Sequence, residues 1–222
     1  MMRVLKFARV DLIKTWKFFY ILFFPMLTVL LLARDPKLPA MFGVAYCLFV
    51  SIVLAAMPFN TEDRSESGFL QLLPAKPGEQ ILGHFLFGLG ANLAGFALGL
   101  ISAAVAHAIV PSAALFSIDG AAVTGFYPAL LGVALLITGL EALLLTVFRF
   151  QSVHAQQLMR IAPAFVFFFA MNSLAVDSGA AGRNMLLALG GGAGFAALAA
   201  CLLAFLALAG IAAGISRARE QS

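Results

Sequence analysis

Residues Asn60–Gln80 read N-T-E-D-R-S-E-S-G-F-L-Q-L-L-P-A-K-P-G-E-Q, a polar island between long apolar stretches. The island holds four of the ten acidic residues in the chain. Almost everything on either side is apolar enough to sit in lipid. Of 222 residues, 63% are hydrophobic and 11% charged, and the mean hydropathy is +1.02. A soluble domain of this size carries roughly 25% charged residues. The shortfall leaves one class, an integral membrane protein whose solvent is mostly lipid. A charged, helix-forming, apolar-tipped segment at one face of such a protein is suited to touching something soluble.

Hydropathy defines six candidate spans, at about 18–33, 40–58, 81–110, 124–148, 160–176 and 185–215. Each approaches the ~20 apolar residues that a helix needs to cross a bilayer. The third and sixth exceed that length, so tilt, a kink or an extension beyond the lipid is expected. Proline marks the end of the second span at Pro58 and of the third before Pro111.

Six spans put both termini on one side, and the basic residues say which. With the N-terminus inside, cytosolic segments hold eleven Lys and Arg residues: Arg3, Lys6, Arg9, Lys14, Lys17, Arg64, Lys76, Arg149, Arg160, Arg217 and Arg219. The opposite face holds three, Arg34, Lys37 and Arg183. Positive charge favours the cytoplasmic side, so both termini and the polar island are expected there, in the cytoplasmic (inner) membrane. The net charge of +4 is thereby a matter of topology and does not imply nucleic acid. Leu31-Leu32-Ala33-Arg34 is a poor cleavage site, so no signal peptide is expected.

Residues 2–17 read as an amphipathic helix lying on the inner leaflet. Leu5, Ala8, Leu12, Trp16 and Phe19 recur at helical spacing, with Lys6, Lys14 and Lys17 toward another face. The alternative is a plain basic flank that orients the first span.

Small residues carry helix association in lipid. Ala91, Gly95, Gly99 and Ala103 form a smooth ridge on the third span, and Gly192, Ala196, Ala200 and Ala204 form another on the sixth. The ridges predict close helix contacts, within one subunit or across a dimer. The Gly190-Gly191-Gly192 run is the alternative point of local unwinding.

Three polar residues stand out within the spans. Glu141 is the deep acid, and a charge there costs at least ~2.5–3.5 kcal/mol. It reads either as part of a polar translocation surface or as an interhelical tie to His84 or Gln156. Asn92 and Asn172 read as interhelical hydrogen-bonding residues, with contact to cargo as the alternative. His84, His107 and His154 are far apart and form no ligand-spaced motif, so no metal site is expected. Cys47 and Cys201 read as small buried hydrophobes.

Within the island, Asn60 or Thr61 suits a helix N-cap, and Glu62 and Asp63 favour the positive end of the helix dipole. Phe69, Leu72 and Leu73 fall at i, i+3 and i+4 as one apolar knob. Pro74 ends the helix and Lys76-Pro77-Gly78 forms a turn into the third span. The element reads as a docking helix or as a solvated loop resting on the membrane.

The run E-D-R-S-E-S-G-F-L-Q-L-L-P-A-K-P-G-E-Q-I-L-G-H-F-L-F resembles the first cytosolic loop of type 2 ABC exporter permeases. The N-terminal F-A-R-V-D-L-I-K-T-W-K-F-F resembles that family's basic elbow helix. The resemblance covers the first ~100 residues, and the remainder agrees in layout. It implies an all-α membrane protein forming a single transmembrane domain over 1–222. The domain would have six transmembrane helices, an N-terminal elbow helix, and a short cytosolic coupling helix between spans 2 and 3.

The resemblance further implies two permease subunits, identical or not, each bound to a cytosolic ABC ATP-binding subunit. Glu62, Asp63, Arg64, Phe69, Leu72 and Leu73 would form the coupling interface, with Trp16 and Lys17 in the elbow. The chain has no G-x-x-x-x-G-K-[ST] motif. ATP and magnesium are therefore expected in the partner subunit, with no cofactor and no enzymatic activity in this chain.

A Phe-rich, nearly uncharged lumen suits amphipathic or apolar cargo. Small permeases of this kind resemble exporters of amphipathic peptide toxins such as phenol-soluble modulins, and others of similar size resemble drug or haem-related exporters. A membrane-embedded enzyme would need a catalytic constellation that Glu141 alone does not supply. A non-transporting immunity or assembly protein would share every feature of the chain.

Overall fold

The computed structural model describes residues 2–16, 18, 41–60, 76–109, 120–148, 153–176 and 192–221. The described residues are helical, with no strand among them. In chain order the helices are α1 (Met2–Thr15), α2 (Met41–Ala56), α3 (Pro77–Ile109), α4 (Gly120–Val147), α5 (Val153–Val176) and α6 (Gly192–Gln221). A 3-10 turn, Met57–Asn60, closes α2 where Pro58 interrupts the α-helical hydrogen-bond pattern.

Among the described residues, three stretches are long and apolar enough to cross a membrane: Gly78–Ser102, Phe126–Val147 and Gly192–Arg219. Val44–Phe59 and Gln157–Ala170 are shorter apolar helices. The expected span at 18–33, apart from Phe18, and the expected coupling helix lie outside the described residues.

The first turn of α3 begins at Pro77, so residues read as a turn from sequence are already helical. Proline is favoured at that position because its missing N–H has no intrahelical acceptor to lose. Lys76 caps the helix: its carbonyl accepts from Glu79 N–H at 2.8 Å, and its N–H donates to the Glu79 carboxylate at 3.4 Å. The last residues of the polar island are thus the first turn of the long helix that follows.

The core forms where α2, α3, α4, α5 and α6 meet. Val44, Leu48 and Ile52 descend one face of α2 at helical spacing, and all three are fully buried. They meet Phe85 of α3, Leu131 and Leu135 of α4, Phe167 of α5 and Phe205 of α6. Rings cross-link the helices, with Phe85 and Phe205 centroids 5.4 Å apart and Phe49 and Phe165 5.2 Å apart.

Glycines set how closely the helices approach. A Cβ at Gly95 would lie 2.8 Å from the Cys47 carbonyl oxygen, and one at Gly99 would lie 2.9 Å from Val44 Cα. The Ala91–Gly95–Gly99 ridge is therefore spent on α2 within the subunit. A second pair, Gly132 and Gly139 on α4, admits the backbone of α6 near Leu198 and the ring of Phe205. The α6 ridge points the other way. Gly192, Ala196 and Ala200 are exposed, and nothing lies within 4 Å of a Cβ built on Gly192, Gly210 or Gly214. Only 17% of the α6 span is buried, against 44% for α3 and 50% for α4.

Candidate functional site

One end of the bundle gathers the start of α3, the whole of α1 and the last turns of α4 and α6. The residues there fix how anything attached to the polar island is held.

Helix α1 lies across the first turns of α3. Phe7, Asp11 and Thr15, four residues apart, form its buried strip. Gly83 makes the approach possible, because a Cβ there would collide with Phe7 Cβ. One turn of α3 carries both Gly83 and His84, whose Nδ1 hydrogen-bonds to Asp11 Oδ2 at 2.6 Å. The His84 and Asp11 side chains are 8% and 5% exposed. Thr15 Oγ1 donates to the Asp11 carbonyl at 2.7 Å, and the Phe59 ring lies 5.0 Å from the imidazole. A buried acid with a short, directed partner is a specific junction, since either group left alone would keep its desolvation cost. Arg3 and Glu79 add an exposed contact at 3.9 Å.

The end of α6 holds the same region from the far side. A Cβ on Gly78 would lie 2.5 Å from Arg217 Nε and 3.2 Å from the Ala213 carbonyl oxygen, so the second residue of α3 rests against α6. Two residues on, Arg219 donates from Nη1 to the Thr146 carbonyl at 2.8 Å and from Nη2 to the Val147 carbonyl at 2.7 Å. Those carbonyls belong to the last turn of α4, which has no intrahelical donors for them. The first turns of α3, which include the end of the polar island, are thus held by α1 on one side and α6 on the other, with α6 also capping α4.

A second polar group ties α2, α3 and α4 deeper in the bundle. Asn92 is completely buried. Its amide nitrogen donates to the Gly88 carbonyl at 2.9 Å and to Thr138 Oγ1 at 3.0 Å, while its oxygen accepts from Ser51 Oγ at 3.1 Å. Asn92 thus bonds to groups on α2, α3 and α4 of this chain. Glu141, 2% exposed, lies one turn beyond Thr138 on the same face of α4. The antiparallel register sets it level with the α3 turn carrying His84 and Gly88. The Nδ1 of His84, one of the two ties read for Glu141, is engaged by Asp11. Gln156 and Asn172 lie on α5, outside the described side chains.

Among the other residues read as functional, Trp16 is 69% exposed just past α1. Lys17, Glu62, Asp63, Arg64, Phe69, Leu72 and Leu73 lie outside the described residues. Sequence reasoning missed the Asp11–His84 junction and the Arg217 and Arg219 contacts. The available signals were Phe7, Asp11 and Thr15 at helical spacing, and a basic pair closing a long apolar helix.

No group of three or more His, Cys, Asp or Glu residues able to hold a metal ion occurs among the described residues. No curated protein and no solved structure matches the chain. The profile of the ABC-2 family transporter proteins matches residues 9–216, nearly the whole length. A match of that extent, on a chain whose described residues are helical and include three helices fit to cross a membrane, places the protein in the ABC-2 transporter family, a membership that implies a membrane permease associating with an ABC ATP-binding subunit.

Proposed function

We propose that the chain is one of a pair of permease subunits in an ATP-driven exporter, docked through residues 60–80 to a separate ATP-binding subunit. The cargo is amphipathic or apolar, peptide foremost, and moves across or out of the cytoplasmic membrane. The observation that carries this reading is family membership over residues 9–216.

The geometry supports it in one respect. The end of the docking segment, from Pro77, is the first turn of α3, whose first turns are bound to α1 through Asp11 and to α6 beside Arg217. A force delivered at residues 77–80 would therefore move a joined set of helix ends. In this account Glu62, Asp63 and Arg64 head the coupling helix, while Phe69, Leu72 and Leu73 enter a groove on the ATP-binding subunit. Trp16 and Lys17 belong to the elbow. ATP binding and hydrolysis lie in the partner. Eleven cytosolic basic residues against three support cytosolic termini. Pairing is expected because one subunit supplies few helices for a pathway.

The peptide reading rests on resemblance to small exporters of amphipathic peptides. Proteoliposomes carrying the natively purified complex test it. ATP-dependent movement of a labelled amphipathic peptide is the expected result. ATP hydrolysis without peptide movement removes the cargo assignment, and the absence of both favours a non-transporting membrane protein.

A further inference from the structure

Among the described helices, two carry a proline in their interior, Pro128 in α4 and Pro163 in α5. An interior proline removes one backbone hydrogen bond and crowds the preceding turn, so the helix bends or yields there. The surroundings decide which. Every residue from Phe126 to Gly132 is buried, so α4 is clamped about Pro128. Around Pro163 the packing is one-sided. Beyond it, Ala164 and Phe167 are buried one turn apart, and the rings of Phe165 and Phe168 lie 5.2 Å and 5.5 Å from that of Phe49 on α2. Before it, the same helix face continues through Ile161 and Gln157, and both are exposed. Leu158 is 68% exposed. The face that seats α5 on the bundle therefore stops at the proline.

We infer that Pro163 is a working hinge: residues 153–162 form an arm that swings, while the helix from Ala164 onward is a stem pinned to α2. The carbonyl of Met159 is the one that loses its donor to the proline, which frees the turn between arm and stem. Composition divides at the same place. The arm, V-H-A-Q-Q-L-M-R-I-A, has four polar residues in ten, and Ala164–Ala170 has none. The arm can therefore rest in water or among headgroups in more than one position, whereas the stem is confined to an apolar setting. The arm follows the end of α4 in the chain, and that end is fixed by Arg219. A swing at Pro163 thus widens or narrows the gap between α5 and the ends of α2 and α4, at the end of the bundle where α3 begins. The inference stands on α5 alone and does not depend on the export reading.

The test measures distance distributions between paired spin labels in the full chain in nanodiscs. Cys47 and Cys201 are replaced by alanine, and labelled chain is diluted into unlabelled chain so that pairs within one subunit are read. Leu203→Cys on α6 is the shared reference, paired with Leu158→Cys on the arm or Val166→Cys on the stem. The three positions are 68%, 68% and 67% exposed, so labels fit at each. The expected result is a distribution at least about twofold broader for the arm than for the stem. Pro163→Ala should narrow the arm distribution to the width of the stem's and leave the stem's unchanged, and Pro163→Leu repeats the test with a larger side chain. Equal widths in the chain that keeps Pro163 overturn the inference, because α5 then moves as one rod. An arm distribution that stays broad in both variants also overturns it, because the spread is then the ordinary fraying of a helix end.

Discussion

In an Asp11→Ala variant the imidazole of His84 stays in a site 6% exposed and loses its 2.6 Å partner. A hydrogen bond to a charged group contributes about 1.5–3 kcal/mol net, and a buried polar group left without its partner keeps a desolvation cost of about 1–3 kcal/mol. Local relaxation makes these overlap, so each single change should cost about 2–3 kcal/mol. His84→Ala adds a smaller packing loss, because the ring lies 5.0 Å from Phe59. Removing both groups leaves no stranded polar atom, so the double variant should lose about 3 kcal/mol, well short of the sum. The coupling energy is then about 2 kcal/mol. That exceeds the roughly 0.6 kcal/mol average for interhelical hydrogen bonds in lipid. The assay is unfolding of the purified chain in mixed micelles by titrated sodium dodecyl sulfate, run as a double-mutant cycle. Losses that add to within about 0.5 kcal/mol would show the two residues acting independently and refute the junction.

Four other outcomes follow from the packing. Gly95→Val should cost about 1–3 kcal/mol by forcing α2 from α3, whereas Gly210→Ala, which meets open space, should be neutral or gain up to about 1 kcal/mol; the same unfolding titration reads both. Asn92→Leu should cost about 1–2 kcal/mol, because Ser51 and Thr138 lose a shared buried partner. Arg219→Gln should quicken amide exchange in residues 144–148 with little change in global stability, as the clamp is exposed and local. Arg3→Gln should change stability by less than about 0.5 kcal/mol, since its contact with Glu79 is 3.9 Å long and solvent-facing.

Hydropathy made the helical class and the outlines of the long helices readable, since uninterrupted apolar runs leave few alternatives in lipid. The close-packing role of Gly95 and Gly99 was readable as a ridge, but its direction was not. A small-residue stripe looks the same whether it meets α2, a second subunit or lipid, and only the fold shows that α3 spends its ridge internally while α6 keeps its own outside. Gly132 and Gly139 escaped notice because a seven-residue spacing makes a weak pattern. The Asp11–His84 junction was hidden for another reason. The two residues are 73 positions apart, and each has an ordinary local excuse, an acid among bases and a lone histidine in an apolar run. The polar island was conspicuous by composition, but the docking role proposed for it would depend on a surface belonging to another polypeptide.

The central claim is that residues 60–80 dock an ATP-binding subunit. Affinity capture of this chain from its native membranes, with ATPase activity assayed on the captured material, tests it most directly. The account predicts that a Walker-type ATPase accompanies the unmodified chain and is lost when Phe69, Leu72 and Leu73 are all changed to Asp. No accompanying ATPase contradicts the exporter reading. An ATPase retained equally by the triple variant contradicts the docking role of the island.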